Sequence, residues 1–156
     1  MATVNVYLTF EGNCEEAFNF YKKVFGNEFL MMSRFNEMPE SPEYSVAESD
    51  KNRIMHVTLP IGGDTVLMGS DTASNHGPEL VVGNNFSISI SPDSKADADK
   101  YFKALANGGK VTMPMQDAFW CSHFGMLKDI FGIQRMINLP STQMYNKSYQ
   151  ILHLFP

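Results

Sequence analysis

The sequence predicts an α+β fold made of two βαβββ modules, and three observations carry that reading. Short runs with a two-residue hydrophobic period recur along the chain, as strands with unlike faces require. Two other segments, one in each half, place apolar residues at helical spacing. The second half also echoes the first: Phe20-Tyr21-Lys22-Lys23-Val24 has a counterpart in Tyr101-Phe102-Lys103-Ala104-Leu105, about half a chain further on. A repeat of that size is too long for a solenoid unit and suits two sub-modules sharing a core.

Taken in order, Val4 to Phe10 sets Val4, Val6, Leu8 and Phe10 against Asn5, Tyr7 and Thr9, which is the first strand. After Gly12, Asn13 is placed to cap a helix. Glu15 and Glu16 suit the positive end of its dipole, and Ala17, Phe18, Tyr21, Val24 and Phe25 form an apolar stripe that Gly26 ends. Glu28 to Phe35 reads as a strand, and the proline- and acid-rich NEMPESPEYSVAESDKN as a long loop of the kind that usually has a task. Arg53 to Ile61 and Thr65 to Gly69 flank Gly62-Gly63-Asp64, a hairpin signature. Asn85 to Ser91 then alternates Phe86, Ile88 and Ile90 with polar residues, and Pro92-Asp93-Ser94 leads into a helix through Ala106. Gly109 to Met113, Cys121 to Lys128 and Ile133 to Leu139 supply three more strands, with turns at Asn107-Gly108-Gly109 and Phe131-Gly132. The expected organisation is one domain over 1–140, with module one at 1–71 and module two at 84–140. The tail 141–156 would pack its Ile151, Leu152, Leu154 and Phe155 on the body or on a second subunit.

Composition narrows the partners. With 156 residues, 44% of them hydrophobic, the chain can bury one good core. A net charge of −5, with lysines and arginines scattered, offers no basic patch for a nucleic acid. No window approaches the roughly eighteen apolar residues of a membrane span, and MATVNVYLTF lacks the basic start of a signal peptide, so a cytoplasmic protein without membrane contact is expected. Cys14 and Cys121 lie far apart without CxxC spacing, which argues for free thiols rather than a disulfide or a thiolate zinc site.

Three stretches carry a family resemblance: YLTFEGNCEEAFNFYKKVFG from Tyr7 to Gly26, HVTLPIGGDTVLMGSD from His56 to Asp71, and FWCSHFGMLKDIFGIQRMIN from Phe119 to Asn138. In combination they resemble the PhnB-like branch of the vicinal oxygen chelate superfamily, which includes glyoxalase, bleomycin-resistance proteins and extradiol dioxygenases. The resemblance implies a cupped eight-stranded mixed sheet with helices outside, a cavity within, and assembly as a homodimer. It also sets a test, because metal-dependent relatives draw their ligands from the first and last strand of each module. Those places fall on Tyr7 and Met136, and near Leu67 or Met68 and Ser87 or Ser89. A neutral phenol, a thioether and hydroxyls are poor ligands for a divalent ion, so neither a metal nor another cofactor is expected.

Strand parity places Asn5, Tyr7, Thr9, His56, Thr58, Ser87, Ser89, Gln134, Met136 and Asn138 on the faces away from the helices. The expected ligand-binding set is Tyr7, His56, Thr58, Trp120, Gln134 and Met136, in a polar-lined hollow suited to a small organic molecule; the plainer alternative is a shallow cleft that holds water. His56 is the residue to name for proton transfer, against a purely structural hydrogen-bonded role. Asp71 would cap a turn or bind a cation, Asp117 would orient a ligand or fix a loop, Trp120 would wall the cavity or anchor the core, and His123 reads as structural. Arg135 stands where similar proteins carry tryptophan in FGxxWMIN. On the helix-facing side of a core strand it needs an acid, expected from the loop between Glu37 and Glu48 or from a second subunit. The resemblance implies small-molecule binding; the alternative is a metal-dependent lyase, isomerase or dioxygenase with an unconventional site. Methyl transfer is disfavoured because no glycine-rich strand-to-helix turn is present, Gly62-Gly63 lying in a hairpin.

Overall fold

Residues with the two-residue period form strands, and those at helical spacing form helices, in both halves of the chain. The first half runs β1 (Val6–Phe10), α1 (Cys14–Phe25), β2 (Met31–Arg34), β3 (Ile54–Gly62) and β4 (Thr65–Asp71). The second repeats that order as β5 (Ile88–Ile90), α2 (Lys95–Ala106), β6 (Lys110–Ala118), β7 (Cys121–Lys128) and β8 (Gln134–Leu139). The structure is a computed structural model that describes residues 4–39, 45–74, 77–119 and 121–141. Trp120 and the tail beyond residue 141 lie outside the described residues. The chain divides into two compact units, Met1–Val81 and Val82–Pro156, one for each module.

The eight strands form two four-stranded mixed sheets, in the orders β1-β4-β3-β2 and β5-β8-β7-β6. In each, the first and last strands of the module pair in parallel and the remaining pairs are antiparallel. Three strands differ most in length from the sequence reading, each by four residues. β2 begins at Met31 rather than Glu28, and β5 keeps only Ile88–Ile90. β6 runs on to Ala118 rather than stopping at Met113, with three register shifts. As an edge strand it tolerates both those bulges and Pro114, whose missing N–H would break an inner ladder. The loop after β2 includes two 3₁₀ turns, Phe35–Glu37 and Glu48–Asp50.

In module one the apolar stripe of α1 buries Cys14, Ala17, Phe18, Tyr21 and Val24 against the sheet. Phe18 meets Phe10 and Tyr21 edge-on, with ring centroids 6.3 and 5.8 Å apart, a favourable geometry for aromatic quadrupoles. Gly69 is what lets Phe18 sit so low: a Cβ there would meet Phe18 Cε2 at 2.6 Å and the Leu8 carbonyl at 2.8 Å. Asn13 occupies the N-cap but its side chain makes no capping bond. Asp71 does that work from β4, its Oδ1 accepting from the N–H groups of Gly12 (2.8 Å) and Cys14 (2.9 Å) while Oδ2 accepts from Ile54 N–H (2.9 Å).

Module two is assembled differently. Ser94 caps α2, its Oγ accepting from Asp97 N–H at 3.1 Å and donating to Asp97 Oδ2 at 2.6 Å. The helix buries only Ala98 and Leu105. Arg135, 1% exposed, lies on the helix-facing side of β8 as expected, but its acid is not one from the loop between Glu37 and Glu48. The acid comes from the turn just before the strand: Arg135 Nε donates to Asp129 Oδ2 at 3.1 Å, while Asp129 Oδ1 accepts from the N–H groups of Phe131 and Ile133, each at 3.0 Å. Asp129 is 3% exposed. A local turn reaches the guanidinium with little ordering cost, whereas a distant loop would have to be folded over it.

Candidate functional site

The side chains that β-strand alternation turns away from α1 converge in module one. Tyr7 is in register with Met68, Met68 with Thr58, and Thr58 with Met31, so one row crosses all four strands. Residues directly opposite on paired strands share a face. The next row brings Ser33 opposite His56. The Tyr7 and His56 rings approach to 5.8 Å between centroids at a 40° tilt, and His56 Nε2 shares a 2.9 Å hydrogen bond with Thr58 Oγ1. Three of the expected ligand-binding residues, Tyr7, His56 and Thr58, therefore form one cluster. Ser33 joins it; its Oγ is buried and has no hydrogen-bond partner among the described residues. On the same side of β1, Thr9 borders a cavity of about 400 Å³ whose walls also include Phe35, Asp71, Pro78, Glu79 and Leu80. Tyr7, His56 and Thr58 are not among the residues lining that cavity.

In module two the corresponding row reads Ser89, Met136, Met126, Met113 across β5, β8, β7 and β6. Met136 thus stands on the expected face, in a file of thioethers. Gln134 shares that face, and its Nε2 donates to the Phe86 carbonyl at 3.3 Å. Trp120 lies outside the described residues. Sequence reasoning missed Ser33, Met31, Met113 and Met126, because their membership depends on which residue faces which across the ladder. Bulges such as those in β6 erase that information from simple counting.

The remaining candidates are structural. Asp71, on the wall of that cavity, fastens the start of α1 and of β3 by accepting from three backbone amides. Asp117 fixes its surroundings: it accepts from Lys95 Nζ at 2.8 Å and bonds His123 Nδ1 at 2.9 Å, contacts that hold its carboxyl below the usual range. His123 is bonded on its other nitrogen to Asp99 Oδ1 at 2.8 Å. Asp99, and then Asp117, raise the imidazole's pKa against the opposing effect of burial. Cys14 is fully buried, and burial, then Asp71 and Glu15, push its thiol far above the ordinary range. Burial raises the Cys121 thiol as well. Neither thiol is poised as a nucleophile.

In module one Tyr7 stands opposite Met68, and in module two Ser89 stands opposite Met136; a phenol, thioethers and a hydroxyl are poor ligands for a divalent ion. Among the described residues no group of three or more His, Cys, Asp or Glu side chains is arranged to hold a metal.

Known proteins agree with this architecture. A family model described as 3-demethylubiquinone-9 3-methyltransferase matches residues 2–137. The chain belongs to this family. With it the chain joins the PhnB-like proteins, and its fold is that of the glyoxylase/bleomycin resistance/dioxygenase domains. This PhnB-like chain is 38% identical to protein PA1353 from Pseudomonas aeruginosa, whose crystal structure superposes with a TM-score of 0.77 over 90% of this chain and 98% of that one. The PhnB protein from Bacillus cereus is 26% identical, with a TM-score of 0.67 over 88% of this chain and 99% of that one. Protein YjdN of Escherichia coli strain K12 is 29% identical over 143 residues, 88% of this chain and 95% of that one.

Proposed function

We propose that this PhnB-like chain binds a small organic molecule on the helix-free face of its module-one sheet, and does so without a metal ion. The observation that carries this reading is the convergence of Tyr7, His56 and Thr58, with the unpartnered Ser33 hydroxyl beside them. A few polar groups set among soft apolar ones is the usual make-up of a small-molecule site. The nearby 400 Å³ cavity at Thr9 is of the size such molecules fill. His56 orients the ligand in this reading, because Thr58 already engages one of its nitrogens.

Native mass spectrometry of untagged protein, before and after incubation with an organic extract, tests the proposal. A stoichiometric adduct that Tyr7→Ala and His56→Ala both abolish is the expected result. Elemental analysis showing one zinc, nickel, manganese or iron per chain, with turnover that a chelator removes, would overturn it. We propose further that the protein assembles as a homodimer in the cytoplasm, a reading supported by the exposure of Val4, Val81, Val82 and Phe86. Light scattering that gives a monomer at every concentration would count against the dimer.

A further inference from the structure

The side chains gathered on the module-one face also point to a class of ligand. This inference rests on the reading above, that a small molecule binds there. Among the described residues the two central rows supply Tyr7, Met31, Ser33, His56, Thr58 and Met68, with no carboxylate, ammonium or guanidinium. The charged groups close in sequence are turned elsewhere: Arg34 donates to Glu15 Oε1 at 2.6 Å, and Asp71 is spent on backbone amides. A phosphate or carboxylate entering this face would lose hydration and gain no counter-charge, which is unfavourable. The chain's net charge of −5 adds a field that repels anions.

What the face does offer is flat and polarisable. Tyr7 is 47% exposed and its ring leans on His56, and Met68 and Met31 share its row. Thioethers and tilted rings gain most from contact with another aromatic ring. One polar need remains. Ser33 is 8% exposed, its Oγ lacks a partner, and register sets it opposite His56. A buried hydroxyl without a partner is costly until something supplies a hydrogen bond. We infer that the module-one face takes an uncharged aromatic molecule bearing a single oxygen substituent, with its ring against Tyr7 and the methionines and its oxygen at Ser33.

Three probes of nearly equal shape separate the terms: p-cresol, toluene and p-toluate, each titrated into isotope-labelled protein at neutral pH. The readout is the shift of the backbone amides of Tyr7, His56 and Thr58. Binding of p-cresol about tenfold tighter than p-toluate, a difference of about 1.4 kcal/mol, is the expected result. It should also exceed toluene, and Ser33→Ala should erase that second preference while leaving toluene unchanged. Should p-toluate bind as tightly as p-cresol at these amides, the ligand class is wrong while the face stands as a binding site. A preference for p-cresol over toluene that survives Ser33→Ala removes Ser33 from the inference. Should none of the three probes move these amides, the inference and the placing of the ligand on this face both fall.

Discussion

The two modules share a plan and fasten their helices by opposite means. In module one, α1 buries five side chains and drives Phe18 into the space over Gly69. In module two, α2 buries two, and the residue matching Phe18 in the sequence echo is Asp99, which reaches His123 while Lys95 reaches Asp117. Each module also contains a buried carboxylate at a junction. Asp71 is satisfied entirely by backbone amides, whereas Asp129 divides itself between two amides and the Arg135 guanidinium. One fold therefore accepts an apolar or a polar seam between helix and sheet, provided that the groups buried at its junctions are hydrogen-bonded.

The sharpest way to break the contrast is to remove the acid paired with Arg135, a cation buried to 1% exposure. Asp129→Ala removes the buried Arg135–Asp129 ion pair and an acceptor from two amides, and should cost about 3–5 kcal/mol by urea denaturation. Asp71→Ala should cost less, about 2–3 kcal/mol, since it exposes backbone dipoles rather than a charge to burial. Its signature would be early hydrogen exchange at Gly12, Cys14 and Ile54. Next in size is Gly69→Ala, where a methyl would meet Phe18 and the Leu8 carbonyl; overpacking of that kind costs about 1–3 kcal/mol. Because the contact is with a helix side chain, Phe18→Leu in the same molecule should recover part of the loss.

The smallest effect belongs to the polar seam and depends on pH. Asp99 and Asp117 raise the folded-state pKa of His123, so its stabilising contribution is complete below its unfolded value of about 6.5 and is lost as pH rises through the higher folded value. Asp117 is shifted down, so its contribution holds above about 3.9 and is lost as pH falls through its lower folded value. His123→Gln should therefore lower stability more at pH 5.5 than at pH 9. An equal loss at both values would show that His123 acts through shape and not charge.

Much of this was legible in the sequence. The βαβββ order, the helix ends at Gly26 and Ala106, and the side of the sheet taken by Tyr7, His56 and Met136 follow from periodicity and capping chemistry, which are local. Strand parity puts Arg135 on the helix side, where it lies, but its acid is Asp129, six residues earlier, and not one from the distant acidic loop. The short strand pattern gave no sign that the turn would fold back under the guanidinium. Asn13 had the right chemistry for a cap, yet Asp71, from the far end of the module, fills that place. Ser33 and the methionine rows were hidden for a related reason: cross-strand neighbours are set by register, and register depends on bulges such as the one between Ser33 and Arg34.

The parallel pairing of β1 with β4 also has a consequence for synthesis. A nascent chain emerging from the ribosome can form the β3–β4 hairpin early, but β1 must wait for a neighbour that is translated last in its module. Closure therefore joins residues at opposite ends of the segment, and the Asp71 carboxylate reaches Gly12 and Cys14 only at that moment. Long-range pairing of this sort is slow and all-or-none, so each half should become protease-resistant in a single step when its final strand leaves the exit tunnel.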